Sequence, residues 1–275
     1  KHRLEPYFNF GGRKFFMNKI LIQPTINTLR DYEDYSGETG YNFEVVDFAF
    51  PNILDSEYIS VVKRYKAESR FPEKIIGMHG AFLDLYINSP DPAIKKVSEE
   101  RIIRNLEIAR DLNIRYVAFH TNFLPMIEKE SYYRNWVNAH VDFWKGIVEK
   151  FKITVLLENM WDKNPDGIAE VIEKVNSPYF KALFDTGHAN VFSKVPIKNW
   201  FKKLGENIVY IQLNDNMGDG DSELPAGKGN VDWKEFDSLV KQHCDNPLVC
   251  LEVKDLNWVR ESIEYLRKNN IYPFS

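Results

Sequence analysis

The chain has 275 residues, 44% hydrophobic and 28% charged, which is enough for one sizeable core. Its formal net charge of -4 gives no overall electrostatic footprint for nucleic acid or an anionic membrane. Two cysteines, Cys244 and Cys250, are too few for a disulfide framework and fit no zinc spacing, and no apolar run reaches the roughly 18 residues of a bilayer span.

Residues 1–16 are rich in aromatic, basic and glycine residues, among them Phe8, Phe10, Arg13 and Phe16, and include His2. They read as an N-terminal extension: an appended segment, or an arm that packs on the rest of the chain or on a neighbouring subunit. From Met17 the sequence MNKILIQP looks like an ordinary start running into a first strand. The basic residues before it are followed by no apolar signal-peptide core, and cysteine usage suits a reducing compartment, so the expected setting is cytoplasmic. No polar or Pro/Gly-rich break divides residues 17–275, which are read as one domain.

Short, mostly apolar runs occur at residues 19–23, 43–50, 74–80, 116–120, 153–158, 182–185, 208–215 and 248–253. They have the character of strands buried on both faces. Helix-like segments lie between them. The first, at 28–40, is polar enough to read as mostly loop. Residues 91–113 carry Ile94, Val97, Ile102, Leu106 and Ala109 near a 3.6-residue period. Pro92 and Pro165 sit where a first helical turn tolerates proline, and Asp55, Ser131 and Asp232 read as N-caps. The stretch WVNAHVDFWKGIV at 136–148 reads as outer-helix packing or a subunit contact. His140 and His243 fall in helical stretches and read as packing residues. A last helix is expected at 258–268. Strands alternating with helices argue a parallel sheet, and eight units favour a closed (β/α)₈ barrel, single domain, over a doubly wound sheet. The long Gly/Asp-rich loop at 216–230 follows the seventh strand and reads as functional.

In such a barrel, chemistry gathers at the C-terminal ends of the strands. The third run ends at His79 and the fourth at His120. The fifth ends at Glu158 and the sixth at Asp185, with His188 just beyond. The seventh carries Gln212, Asn214 and Asp215, and the eighth Glu252. Charges are rarely buried unless paired or metal-bound. Converging carboxylates repel strongly without a cation, and hard carboxylate and amide oxygens suit Mn²⁺, Mg²⁺ or Zn²⁺.

The segments LLEN (156–159), FDTGHAN (184–190), IQLNDN (211–216), LPAGKGNVDW (224–233) and CLEV (250–253) resemble the xylose isomerase-like barrel superfamily. It holds sugar isomerases, ketose 3-epimerases and the abasic-site endonucleases related to endonuclease IV. The resemblance runs from about Met17 to the C-terminus. It implies one divalent metal ion held by Glu158, Asp185, Gln212 and Glu252, with Gln212 standing where the family usually has His. The endonuclease branch implies more ligands: His79, His120, and His188 through its D-x-x-H. Its later D-x-H triplet falls on Asp221, Ser222 and Glu223, so Gln212 and Glu223 both replace imidazoles. The epimerases' Arg after the strand-seven ligand is missing, and Lys228 is the one cation between Gln212 and Trp233.

This pattern predicts a metal-dependent sugar or sugar-phosphate isomerase or epimerase. Glu158 and Glu252 are its candidate acid/base pair, and the metal stabilises the charge that develops on oxygen. Candidate substrate-binding residues are His79, His120, His188, Trp161, Asp221 and Glu223. Trp161, Phe82 and Phe123 follow strand ends and read either as stacking surfaces for a sugar or as rim packing. The expected partner is a small sugar or sugar phosphate, without nucleic acid or membrane, in a possible homo-oligomer. The rival readings are a metal-dependent phosphodiesterase on abasic DNA and a non-catalytic sugar-binding barrel.

Overall fold

The computed structural model describes residues 7–10, 13–16 and 18–275. Two short strands, β1 (Tyr7–Phe10) and β2 (Arg13–Phe16), pair antiparallel with Tyr7 opposite Phe16. The rest of the predicted N-terminal extension, His2 included, lies outside the described residues.

The eight apolar runs form β3 (Ile20–Ile22), β4 (Asn42–Val45), β5 (Ile75–His79), β6 (Tyr116–His120), β7 (Thr154–Glu158), β8 (Phe180–Asp185), β9 (Ile208–Leu213) and β10 (Leu248–Leu251). Every neighbouring pair is parallel, and β10 closes on β3, so the sheet is a closed barrel. The connections between strands carry α1 (Leu29–Thr39), α2 (Tyr58–Glu68), α3 (Pro92–Asp111), α4 (Glu130–Phe151), α5 (Asp166–Val175), α6 (Thr186–Phe192), α7 (Ile197–Leu204) and α8 (Trp233–His243). Helix α9 (Leu256–Lys268) follows β10.

Side-chain alternation divides the interior in two. One set of strand residues, including Leu21, Ala118, Leu156, Leu183 and Cys250, packs inside the barrel. The other, including Ile22, Val117, Leu157 and Phe184, packs outward against the helices in a larger core. There Trp136 and Trp144 of α4 are buried, so the aromatic stretch at 136–148 is spent mainly on packing. Trp144 donates its indole N–H to His140 Nδ1, and burial pushes that imidazole down to about 3, so His140 packs as a neutral ring. Among the described residues no helix is long and apolar enough to cross a membrane.

Several local expectations are corrected. Residues 28–40 are not mostly loop. Helix α1 buries Leu29, Tyr32 and Ser36, and ends at Gly40 in the left-handed region, φ 77°. Its polar appearance comes partly from Glu33, which is buried because it accepts from Ser69 Oγ, Arg70 N and Arg70 Nε. The second strand stops at Val45, and a 3₁₀ turn at Asp47–Ala49 takes the chain onward. Asp55 is not an N-cap: it lies inside the π-helical turn Ile53–Glu57 and pairs with Arg101 and Arg104. Ser131 lies inside α4, whose N-cap position is Lys129. Asp232 does cap α8, accepting from Lys234 N and Glu235 N, and Pro92 occupies the first turn of α3.

Candidate metal centre

Strand alternation lifts a polar layer directly above the apolar floor of the barrel. Two residues beyond Leu21, Ala118, Leu156, Leu183, Tyr210 and Cys250 stand Gln23, His120, Glu158, Asp185, Gln212 and Glu252. A period of two keeps each pair on the same face, so the polar residues point inward at the C-terminal mouth. His79 joins them above Gly77. An added Cβ on Gly77 would meet Tyr210 Oη at 3.0 Å and Leu21 Cδ2 at 3.2 Å, so this position too faces the barrel axis.

Glu158 is the hub. His120 Nε2 and His188 Nδ1 each lie 3.2 Å from its Oε1, and His79 Nε2 lies 3.5 Å from its Oε2. These approaches are close but misdirected: among the described residues neither Glu158 oxygen and neither His120 nitrogen makes a hydrogen bond. All of them are buried, and leaving a buried polar atom without a partner costs about 1–3 kcal/mol. Among the described residues, two groups have ligand atoms within 4.8 Å of one another: His79, His120 and Glu158, and Glu158, Asp185 and His188. Glu158 belongs to both. His79 is set as a ligand usually is, with the nitrogen far from Glu158 held by a backbone carbonyl, whereas in His188 it is the near nitrogen that a carbonyl holds. His79 Nδ1 donates to Gly80 O at 2.9 Å and His188 Nδ1 to Asn159 O at 2.8 Å. A carbonyl only accepts, so each Nδ1 carries a proton, and an Nε2 offers a lone pair to a cation only once its ring has lost its second proton. His79 Nε2 faces Glu158, and His188 Nε2 lies 3.1 Å from Asp221 Oδ2. Unpartnered carboxylate oxygens and oriented imidazoles gathered in one buried place fit a divalent cation.

The DTGHAN segment builds the Asp185–His188 part. Asp185 caps α6 by accepting from His188 N at 2.5 Å, which turns the His188 ring back toward the strand end. Gly187 is required, because a Cβ there would fall 1.7 Å from Asn214 Oδ1. Asn214 Nδ2 donates to Asp185 Oδ2 at 2.8 Å, and Asn159 Oδ1 accepts from Asp185 N at 2.9 Å. Asn159, and Asn214, which the sequence placed at a strand end without a ligand or substrate role, thus orient Asp185.

The cluster polarises its members in opposite directions. Burial opposes ionisation of Glu158, yet His120, His188 and His79 outweigh it and hold the carboxyl well below its ordinary value. Burial lowers His79, but Glu158, Glu44 and the Gly80 carbonyl raise it to about 9. His188 is likewise pulled down by burial and raised well above its ordinary value by Asp185, Asp221 and Glu158. His120, with fewer compensating charges, is lowered by burial. Asp185 is raised to about 7 by burial, with Glu158 and Asp221 adding to it. Glu252 is pushed well above its ordinary value by burial and by Asp185, Glu158 and Glu223.

The other sequence candidates take distinct places. Gln212 lies beside Asp185 in register, and its Oε1 is a buried acceptor with no hydrogen bond among the described residues. Glu252 stands outside both close groups, with Oε1 3.3 Å from Gln23 Nε2. The loop at 216–230 is fastened by Asp215, a buried carboxylate that accepts from Asn216 N, Val231 N, Gly227 N and Trp233 Nε1. That fastening leaves Asp221 against His188. It also carries Glu223 in a left-handed backbone, φ 46°, with its carboxyl raised by burial and by Asp221. Phe82 stands edge-on to His79 and His120, with ring centres 5.8 and 5.6 Å away. Phe123 instead packs on Tyr132, Tyr133 and Trp136. Trp161 is half-buried, and it precedes Asp162, whose carboxyl burial raises to about 6 although Thr121 Oγ1 donates to it. Sequence reasoning missed Glu44, which lies under Gln212 and Gln23 and accepts from both.

The model of the xylose isomerase-like TIM barrel family matches residues 38–269. The chain belongs to that family. Two relatives are the uncharacterized protein MJ1311 of Methanocaldococcus jannaschii, 24% identical over 72% of this chain and 71% of its own length, and the probable endonuclease 4 of Persephonella marina, 22% identical over 69% and 74%. Among solved structures, a TTHB071 protein from Thermus thermophilus soaked with ZnCl₂ superimposes with a TM-score of 0.75 at 19% identity, over 91% of this chain and 97% of that one. A D-tagatose 3-epimerase-like protein gives 0.69 at 21% identity, over 91% and 96%. At these identities the structural likeness speaks for the fold.

Proposed function

We propose that this barrel is a metal-dependent isomerase or epimerase of a sugar or sugar phosphate, with Glu158 and Glu252 as its proton-transfer pair. The observation that carries the reading is that Glu158, at the end of β7, keeps both buried oxygens free of hydrogen bonds among the described residues, while a second carboxyl, Glu252, stands just past the end of β10 at the same mouth. The two are displaced in opposite directions, Glu158 down by its imidazoles and Glu252 up by burial and neighbouring carboxylates. Such a pair can take a proton from a carbon beside a carbonyl and return one to the opposite face. Glu158, Asp185, Gln212 and Glu252 form the donor set for a divalent ion, Mn²⁺, Mg²⁺ or Zn²⁺. When bound, the ion supplies Lewis-acid stabilisation of the negative charge that develops on the substrate's oxygens. His79, His120 and His188 then meet substrate hydroxyls, with Asp221, Glu223 and Trp161 at the rim. The half-buried Trp161 and the edge of Phe82 suit the apolar face of a sugar ring.

A second reading has a specific observation behind it. The His79–His120–Glu158 group offers a second ion a place beside the first, as a two-metal phosphodiesterase would need, and one relative is named a probable endonuclease. Against it stand the net charge of -4 and the replacement of two expected imidazoles by Gln212 and Glu223. The test is solvent-deuterium incorporation into a panel of sugars with Mn²⁺, run beside nicking of an abasic duplex. Exchange that drops on the order of 10²-fold or more in both Glu158→Gln and Glu252→Gln supports the isomerase. Nicking without exchange would move the assignment to the phosphodiesterase, and tight sugar binding with neither activity to a non-catalytic barrel.

A further inference from the structure

One carboxylate lies deeper than the metal centre and is neither a ligand nor a proton-transfer group in the function proposed above. Glu44, 1% exposed, sits in β4 at the level of the apolar floor. Gly77 makes room for it: a Cβ there would meet Glu44 Cβ at 3.2 Å and Tyr210 Oη at 3.0 Å. A charge in the barrel core costs several kcal/mol unless donors fill its oxygens. Three donors do so. Gln23 Nε2 at 2.7 Å and Gln212 Nε2 at 3.1 Å donate to Oε1, and the Tyr210 hydroxyl donates to Oε2.

Both Glu44 oxygens accept from the donors around them, so a glutamine facing Oε1 must present its nitrogen. The Gln212 oxygen is thereby turned to the other side. Glu44 lies below Gln212, so that other side is the mouth, where Asp185 stands in register on the adjacent strand. There the oxygen is buried and bonded to no donor among the described residues. A side-chain amide left free to flip would offer a metal either its oxygen, a ligand, or its NH₂, which is not one.

We propose that Glu44 is a positioning residue that fixes the Gln212 amide with its oxygen toward the metal centre, making glutamine serve where an imidazole would otherwise stand. The inference rests on the metal-centre reading of the previous section. In Glu44→Gln, with the new amide oxygen kept on Tyr210, its NH₂ replaces an oxygen that accepted from both Gln23 and Gln212, so both must turn their oxygens toward it, and the Gln212 NH₂ then faces the metal centre.

The test is Mn²⁺ titration of the chelator-stripped full chain by calorimetry, with the metal-free melting temperature as the check on folding. Glu44→Gln should weaken Mn²⁺ binding at least about tenfold, the usual cost of losing a residue that orients a ligand. In a Gln212→Leu background the same substitution should change affinity by no more than about twofold, the scatter of independent effects. Unchanged affinity in Glu44→Gln, or equal weakening in both backgrounds, overturns the proposal while leaving the metal centre standing. A native chain that takes up no Mn²⁺ overturns the metal reading and this inference together. Should Glu44→Gln not fold, Glu44→Asp keeps the charge but withdraws it by one methylene, and the same two-background pattern is required of it.

Discussion

Asp215 and Glu158 are both fully buried carboxylates at the ends of barrel strands, and they are opposites. Asp215 accepts four hydrogen bonds, from three backbone amides and one indole, two of them from within the loop at 216–230 and two from Val231 and Trp233 just after it. Glu158 accepts none among the described residues, although three imidazoles crowd within 3.5 Å of it. Burial is the same, although Glu158 ends the apolar run TVLLE while Asp215 sits between Asn214 and Asn216. What separates a structural carboxylate from a chemical one is whether its lone pairs are already in use. A saturated carboxylate has nothing left to give a cation, whereas an unsaturated one in low dielectric is stable only with one, or with protonated neighbours.

The sharpest way to break this contrast is to remove each charge in turn. Glu158→Gln should lose on the order of 10²-fold or more in turnover and most of its metal uptake, with a smaller effect on the metal-free melt. Asp215→Ala should do the reverse. Losing its charged hydrogen bonds is expected to cost about 3 kcal/mol in denaturant unfolding, while Mn²⁺ affinity in the folded fraction stays within a few-fold. If both variants fail in the same way, the distinction between the two carboxylates is wrong.

Acidity sharpens the same point without mutation. His79 is raised in the fold from an ordinary 6.5 to about 9, so it binds more protons folded than unfolded. Its contribution is fully present below pH 6.5 and is lost as pH rises through 9. His188 acts in the same sense. The metal-free protein should therefore melt at progressively lower temperature between pH 6.5 and 9, and saturating Mn²⁺ should reverse the trend, because the ion needs these groups deprotonated. A flat or rising metal-free profile would contradict the charge distribution around Glu158. The mildest change is Gln212→His, which should raise Zn²⁺ affinity about tenfold, since imidazole is the better zinc donor. Equal or weaker zinc binding by calorimetry would count against Gln212 as a ligand.

Much of the mouth was legible because strand alternation is a local signal. An apolar run ending in His, Glu or Asp places that residue two positions above a core side chain, and Leu156–Glu158 or Cys250–Glu252 can be read from a few letters. Glu44 was not legible. It interrupts the run NFEVV, and its partners Tyr210 and Gln212 are 166 and 168 residues away in the chain, with only closure of the barrel bringing them together. Helix α1 was misjudged for a related reason. Its buried Glu33 breaks the apolar stripe, and the groups that satisfy it, Ser69 and Arg70, come 36 and 37 residues later. The division between Asp215 and Glu158 was likewise hidden, because hydrogen-bond saturation depends on loop backbone that no side-chain pattern encodes.

The way Asp215 fastens its loop has an evolutionary consequence. Asp215 and Leu224 exchange backbone hydrogen bonds at 2.8 and 2.7 Å, and Asn230 N donates to Asn216 O, so the segment stands as an arch on two fixed feet. The tip, residues 219–223, carries Asp221 and Glu223 over the metal centre but supplies none of the bonds that hold the feet. Under the function proposed above, substitutions at the tip would alter what the mouth recognises at little cost to folding, whereas changes at Asp215, Gly227 or Trp233 strike the foundation. A lineage built on this barrel can explore new substrates one tip residue at a time, with its fold insulated from the search.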